Sequence, residues 1–182
     1  MYINTFVNIT SRAWALSILA NMHAGVVGRQ APLLTATGAS RSAFAQSMDH
    51  LIEIGLMERN PGYGHPLRPE FRLTELGKTT GKITHQIYHV ADDEDKFLLR
   101  RSWTLPILVS IHAPSYFNDI KKNLPSITDR ALSQSLTSME NRNWVSRTVS
   151  QAARPPRPIY RAINAGGTIS QIMRPEIHFS PP

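Results

Sequence analysis

The sequence predicts a mainly α-helical protein with small β-ribbons, arranged as two winged helix-turn-helix units in tandem. The first observation is a repeat, because residues 40–59, SRSAFAQSMDHLIEIGLMER, resemble residues 128–147, TDRALSQSLTSMENRNWVSR, at an offset of 88. The second is a Pro-, Gly- and Arg-rich segment that follows each copy between short apolar stretches, which is typical of a β-hairpin. Two copies within 182 residues favour two small hydrophobic cores over a single one.

Each repeat begins with an apolar helix. Large side chains recur at helical spacing in both copies, namely Trp14, Ile18 and Leu19 in the first and Trp103, Ile107 and Leu108 in the second. Tryptophans at matching positions of an apolar face are typical of a core rather than of a stacking platform. We therefore expect both tryptophans to be core residues.

Two shorter helices follow, and they are clearest in the second copy. Phe117, Ile120 and Leu124 lie at i, i+3 and i+7, which predicts an amphipathic helix that ends before Pro125. Thr128 or Ser126 is expected to cap the next helix. The inward face of that helix consists of Leu132, Leu136 and Met139. Two short helices joined by a tight turn indicate a helix-turn-helix.

The end of the last helix and the following ribbon are predicted from turn chemistry. Asn143 and its counterpart Gly55 are an asparagine and a glycine, the two residue types that most readily adopt the left-handed conformation that closes a helix. Residues 56–59 and 71–73 then predict a hairpin, as do residues 144–147 and 160–162. A helix-turn-helix followed by such a ribbon is a winged helix.

The predicted domains follow from the repeat. We expect a first winged-helix unit at residues 10–82, a helical connector at 83–97, a second unit at 98–172 and a C-terminal tail at 173–182. In the connector, Ile83, Ile87 and Val90 form one apolar stripe. The acidic run at residues 92–95 is interpreted as favourable charge at the start of the next helix rather than as a cation site.

Composition narrows the function classes. The chain has no cysteine, which excludes disulfides, thiol chemistry and zinc-finger sites. No apolar run approaches the roughly 18 residues of a membrane span, so we expect a cytoplasmic protein without a membrane partner. The net charge is +7 and the sequence pI is about 10.1. The basic excess is shared by both halves and indicates a polyanionic partner.

These residues carry a resemblance. The stretch WTLPILVSIHAPSYFNDIKKNLPSITDRALSQSLTSMENRNWVSRTV, with RPIYRAINAGG after it, resembles the HxlR family of bacterial winged-helix transcription regulators. The first half, TGASRSAFAQSMDHLIEIGLMERNP with FRLTELGK, is similar to both HxlR and MarR regulators. The resemblance implies a regulator that binds double-stranded DNA. HxlR proteins commonly have one winged helix and a reactive cysteine, whereas this chain predicts two winged helices and has no cysteine.

If the units bind DNA, outward residues of the two second helices and of the wings form the interface. Arg and Gln can read guanine and adenine in the major groove, Ser and Thr reach phosphates or bases, and wing arginines touch phosphate or the minor groove. The predicted DNA-binding residues are Arg41, Ser42, Gln46 and Arg68 in the first unit, and Lys121, Lys122, Thr128, Arg130, Ser133, Gln134, Arg154 and Arg157 in the second. Ala45 and Thr137 lie on the same outward faces.

Other functions are less well supported. His85 and His89 are an i, i+4 pair that could ligate a metal, but without a third ligand we interpret them as a solvated helix face. No nucleophile elbow or phosphate-cradling glycine loop is found, so no catalytic residue, metal or cofactor is predicted. The alternative from another class is a tandem winged-helix scaffold for protein interactions. A homodimer is left open, and the sequence specifies neither an effector, an operator nor the sign of regulation.

Overall fold

The computed structural model describes residues 3–60, 70–150 and 155–175, and these residues form a mainly helical protein with two small antiparallel sheets. This confirms the predicted fold class of α-helices with small β-structures. The chain divides into two compact units, one of residues 9–89 and the other of residues 1–8 and 90–182. In the described ranges, no helix combines the length and the apolar character that crossing a bilayer requires.

The elements fall into two parts along the chain. The first consists of α1 (Ile3–Thr10), α2 (Ala15–His23), α3 (Gln30–Thr37), α4 (Arg41–Glu53), β1 (Met57–Asn60), β2 (Glu70–Leu73) and α5 (Glu75–Val90). The second consists of a 3-10 turn (Asp93–Asp95), α6 (Lys96–Leu99), α7 (Thr104–Ser110), β3 (Ser115–Tyr116), α8 (Phe117–Asn123), α9 (Asp129–Glu140), β4 (Val145–Ser150), β5 (Arg157–Ala162) and α10 (Asn164–Met173).

In the unit of residues 9–89, α4 begins and ends as its sequence predicts. The Ser40 side chain accepts a hydrogen bond from the Ala43 amide and caps the helix. Phe44, Met48 and Leu51 of α4 are buried. Gly55 closes the helix end at φ 74°, a conformation that glycine adopts without a steric penalty.

A two-stranded ribbon follows α4. Strands β1 and β2 pair antiparallel over four residue pairs, from Met57 with Leu73 to Asn60 with Glu70. Arg29, the residue before α3, adds an isolated antiparallel bridge to Glu70. The ribbon therefore contacts the N-terminal end of α3.

The unit containing residues 90–182 has the same local design. Thr128 caps α9 by accepting a hydrogen bond from the Ala131 amide, and α8 ends at Asn123, before Pro125. Leu132, Leu136 and Met139 of α9 are fully buried. Asn143 has a φ of 56°, so the predicted left-handed closure is confirmed.

The sheet of this unit has one strand more than the sequence predicts. Its order is β3-β5-β4, and β4 pairs with β5 over six residue pairs, from Val145 with Ala162 to Ser150 with Arg157. The additional strand β3 pairs Ser115 with Tyr160 and Tyr116 with Ile159. With only two residues, β3 is too short for a period-2 pattern to show in the sequence.

The helices after the two ribbons contact them at equivalent glycines. A Cβ at Gly77 of α5 would lie 1.9 Å from the Leu56 carbonyl oxygen, and one at Gly166 of α10 would lie 2.3 Å from that of Trp144. Both distances are far inside van der Waals contact, so only glycine allows this approach of helix to backbone.

The predicted core tryptophans are less buried than expected. Trp14 and Trp103 are half-buried, because each lies at the N-cap position of its helix rather than within the apolar face. Trp144 is instead the fully buried tryptophan, at 1% exposure. The prediction that the first two are core residues therefore overestimates their burial.

Candidate nucleic-acid interface

The exposed side of α9 is polar along its length. A helix with 3.6 residues per turn separates positions that differ by one or two residues onto different faces. Leu132, Leu136 and Met139 consequently lie in the core, while the other face is left to solvent. The predicted base-reading residues Arg130, Ser133 and Gln134, together with Thr137, are all exposed.

Thr128 combines a structural role with its predicted contact to DNA. Its hydroxyl oxygen accepts a hydrogen bond from the Ala131 amide at 3.2 Å. Capping uses a lone pair of the hydroxyl and leaves its proton available to a second acceptor. The residue is exposed, so the cap is compatible with donation to a phosphate.

The two predicted phosphate-binding lysines are ion-paired within the protein. The Lys121 ammonium lies 2.5 Å from an Asp129 carboxylate oxygen, and that of Lys122 lies 3.6 Å from Asp119. Exposed ion pairs contribute little to stability, typically about 0–1 kcal/mol. The carboxylates nevertheless lower the positive potential that these lysines offer to a phosphate.

Of the two arginines predicted to bind DNA from the ribbon of this unit, the structure describes Arg157. Arg157 begins β5, pairs in register with Ser150 and is exposed. Among the described residues, no carboxylate lies within ion-pairing distance of it. Arg154, the other predicted contact of this wing, lies outside the described residues.

The corresponding helix of the other unit, α4, also presents polar groups. Arg41, Ser42, Ala45 and Gln46 are exposed, as the helical spacing predicts. The Ser42 hydroxyl lies 3.4 Å from that of Ser40, next to the N-cap. Arg68, predicted for the first wing, is outside the described residues.

The chain just after α9 is held by the carboxylate of Asp95. From the sequence, this residue is expected only to supply favourable charge at the start of a helix. Asp95 is 7% exposed and accepts a hydrogen bond from Trp144 Nε1 at 3.0 Å. The Arg142 guanidinium pairs with Asp95 and with Glu94, and the hydrogen bond to Asp95 raises the pKa of Arg142. These contacts hold α9 to the segment before α6. Asp93, in contrast, pairs with Lys96 at 2.5 Å, and its pKa is lowered by that hydrogen bond.

Arg101 is a further cation at this surface and was not predicted. It lies between α6 and α7, but its Nη1 donates a hydrogen bond of 3.1 Å to Ser138 Oγ on α9. A shallow depression beside it is lined by Arg101, Ser133, Gln134, Thr137 and Ser138. The sequence gives no signal for this contact, because the two residues are 37 positions apart.

The histidines of α5 form a small cluster in the other unit. The Nε2 atoms of His85 and His89 lie 3.0 Å apart, and the rings of His85 and His23 are 5.4 Å apart. Partial burial lowers the pKa of His85, and the neighbouring His89 and His23 lower it further. In the part of the chain that the structure describes, no three or more histidine, aspartate and glutamate side chains gather as metal ligands.

The geometry of α8, α9 and their ribbon can be compared with known proteins. Residues 98–177 match the family model of the HxlR-like helix-turn-helix. This family consists of DNA-binding transcription regulators, not enzymes, and the match extends from α6 past α10. The match supports the resemblance for the second half of the chain, whereas residues 1–97 lie outside it. The chain matches no curated protein and no solved structure.

Proposed function

We propose that this protein is a sequence-specific transcription regulator that binds double-stranded DNA through α9. The observation that carries the proposal is the exposed polar face of Arg130, Ser133, Gln134 and Thr137 on a helix of the HxlR-like segment. A helix of this kind fits the major groove, where Arg reads guanine and Gln reads adenine. Arg157 in the wing is suited to the flanking backbone.

We further propose that the unit of residues 9–89 is a second winged helix. Details of main-chain bonding support this equivalence. The Leu56 carbonyl accepts a hydrogen bond from the Thr74 amide, and the Trp144 carbonyl accepts one from the Ile163 amide. Side chains after each ribbon also bond to the helix-closing residue, Thr74 to the Gly55 carbonyl and Asn164 to the Asn143 carbonyl. With Arg41, Ser42 and Gln46 exposed on α4, this unit offers a second surface of the same chemistry.

The mechanism that follows is occupation of promoter DNA. Phosphate contacts by exposed lysines and arginines supply affinity that falls with salt, and base contacts by α9 supply the choice of site. The net charge of +7 favours association with a polyanion. A regulator bound in this way controls transcription by occluding or organising the promoter.

The proposal is tested by selecting duplexes from a random library with the full chain and measuring variants on the selected site. Arg130→Ala and Gln134→Ala should each weaken binding there by about 1–3 kcal/mol and change binding to random DNA little. Both residues are exposed, so stability should change by no more than about 0.5 kcal/mol. Gln171→Ala is the matched control, since Gln171 is an exposed glutamine of α10.

A core substitution separates folding from recognition. Leu136 is 2% exposed, so Leu136→Ala should cost about 2–5 kcal/mol of folding stability through the cavity it leaves. Failure to enrich any duplex, or normal site binding by folded Arg130→Ala and Gln134→Ala variants, would contradict the proposal. The tandem winged-helix scaffold for protein interactions would then be the better explanation.

A further inference from the structure

Arg101 belongs to a different segment from α9 and contacts it through a serine hydroxyl rather than through a carboxylate. Its guanidinium is 5.7 Å from the centroid of the Phe97 ring and donates to Ser138 Oγ at 3.1 Å. Two such contacts, one cation–π and one hydrogen bond, favour this position of the side chain. A preorganised arginine loses less conformational entropy when it binds a ligand.

The charge of Arg101 is also uncompensated. Within the described ranges, no carboxylate lies within 4.0 Å of its guanidinium, whereas Lys121 and Lys122 both have acidic partners. Arg101 itself is exposed. A cation that is fixed, exposed and unpaired attracts an anion more strongly than one that is already neutralised.

The surroundings of Arg101 fit a phosphate group. Ser133 and Thr137, which line the depression with Arg101, are exposed and have hydroxyl groups. A guanidinium has five N–H donors in a planar fork suited to bidentate contact with a phosphate, and hydroxyls can add further bonds. We propose that Arg101 binds a phosphodiester of the DNA backbone beside the second half of α9, an inference that rests on the proposed function.

Ser138 has a positioning role in this arrangement. Its hydroxyl donates to the Gln134 carbonyl at 2.8 Å and accepts from Arg101. Its proton and one lone pair are therefore both used within the protein. Ser138 holds Arg101 against α9 and links its position to that of Gln134, the predicted adenine reader.

The experiment measures affinity as a function of salt for the full chain on its selected duplex and on a random duplex. Arg101→Ala should weaken binding to both by about tenfold, the equivalent of one hydrogen bond to a charged group. The slope of log affinity against log salt should fall by about one, as for one lost phosphate contact. Arg101→Lys should retain most of the slope and lose part of the affinity, because lysine has the charge without the fork.

Two further variants sharpen the result. Ser138→Ala should reduce affinity less than Arg101→Ala and leave the salt slope unchanged, since the charge remains. Arg174→Ala removes the same charge from an exposed residue at the end of α10 and should change neither quantity. An equal loss in Arg174→Ala would assign the effect to net charge and overturn the proposal.

The outcomes also distinguish this inference from the function on which it rests. Normal affinity and slope in folded Arg101→Ala, with site binding lost in Gln134→Ala, would overturn the phosphate contact alone. Normal binding by both variants would overturn the contact and the DNA-reading role of α9 together. Melting temperatures of all variants confirm that the comparison is made on folded protein.

Discussion

Replacing Gly166 with alanine tests the contact between α10 and the start of β4. The new Cβ would lie 2.3 Å from the Trp144 carbonyl oxygen, whereas ordinary contact begins at 3.4 Å. The difference between these distances, 1.1 Å, must be met by moving α10 or the Trp144 carbonyl. That carbonyl accepts the hydrogen bond from the Ile163 amide at 2.9 Å, so its movement disrupts a second interaction.

The expected magnitude follows from these two effects. Overpacking of this kind costs about 1–3 kcal/mol, and the weakened hydrogen bond adds about 1 kcal/mol. Alanine regains about 0.5–1 kcal/mol because it is a better helix former than glycine. The net loss is about 1–3.5 kcal/mol, and the melting temperature of this 182-residue chain should fall by about 2–4 °C per kcal/mol lost.

The adjacent Gly167 provides a matched control. A Cβ there would lie 3.5 Å from its nearest neighbour, the Ala162 carbonyl oxygen, which is ordinary contact. Gly167→Ala should therefore raise stability by up to about 1 kcal/mol. Both variants are compared by thermal and urea unfolding. A Gly166→Ala variant as stable as Gly167→Ala would refute the close contact between α10 and the Trp144 carbonyl. Gly77→Ala tests the corresponding contact in the other unit.

The remaining predictions concern charge. The pKa of His85 in the folded protein is below its unfolded value of about 6.5, so the unfolded chain binds more protons as the pH falls. The contribution of His85 to the free energy of unfolding should therefore be fully present above about pH 6.5 and decrease below that pH. The decrease in melting temperature between about pH 7.5 and pH 5.5 should be smaller in His85→Gln and unchanged in the control His112→Gln. An equal decrease in both variants would exclude the histidine cluster as the cause of the pH dependence. Asp95→Asn should lower the free energy of unfolding by about 1–3 kcal/mol. Asp95→Ala should lower it further, because alanine leaves Trp144 Nε1 without its acceptor. An unchanged urea midpoint in these variants would contradict this prediction. Arg157→Ala should reduce the salt slope of DNA binding by about one, while an unaltered slope would remove this wing residue from the interface.

Local features were predictable from the sequence because they depend on nearby residues. The end of α8 before Pro125, the Thr128 cap and the left-handed Gly55 and Asn143 all follow from the conformational preferences of single residues. The exposed face of α9 follows from its apolar spacing. Each residue of α4 and α9 that the sequence predicts to face outward is exposed in the structure.

Contacts between distant segments could not be predicted in this way. The ion pairing of Lys121 with Asp129, the carboxylate of Asp95 beneath Trp144 and the reach of Arg101 to Ser138 depend on tertiary placement. No periodicity records such contacts, since hydrophobic spacing reports only which face of an element is buried. The half-burial of Trp14 and Trp103 has a related cause, because their position at a helix end depends on where the preceding chain turns.

The unequal ribbons have a consequence for local opening. Among the described residues, strands β4 and β5 are joined over six residue pairs and flanked by β3, whereas β1 and β2 share four pairs and an isolated bridge from Arg29. Amide hydrogens exchange with solvent through local unfolding, whose free energy rises with the number of contacts that must break. Strand amides near Tyr160 should therefore exchange more slowly than those near Phe71. In the regulator that we propose, the ribbon that opens more readily would adapt its shape to DNA at the lower energetic cost.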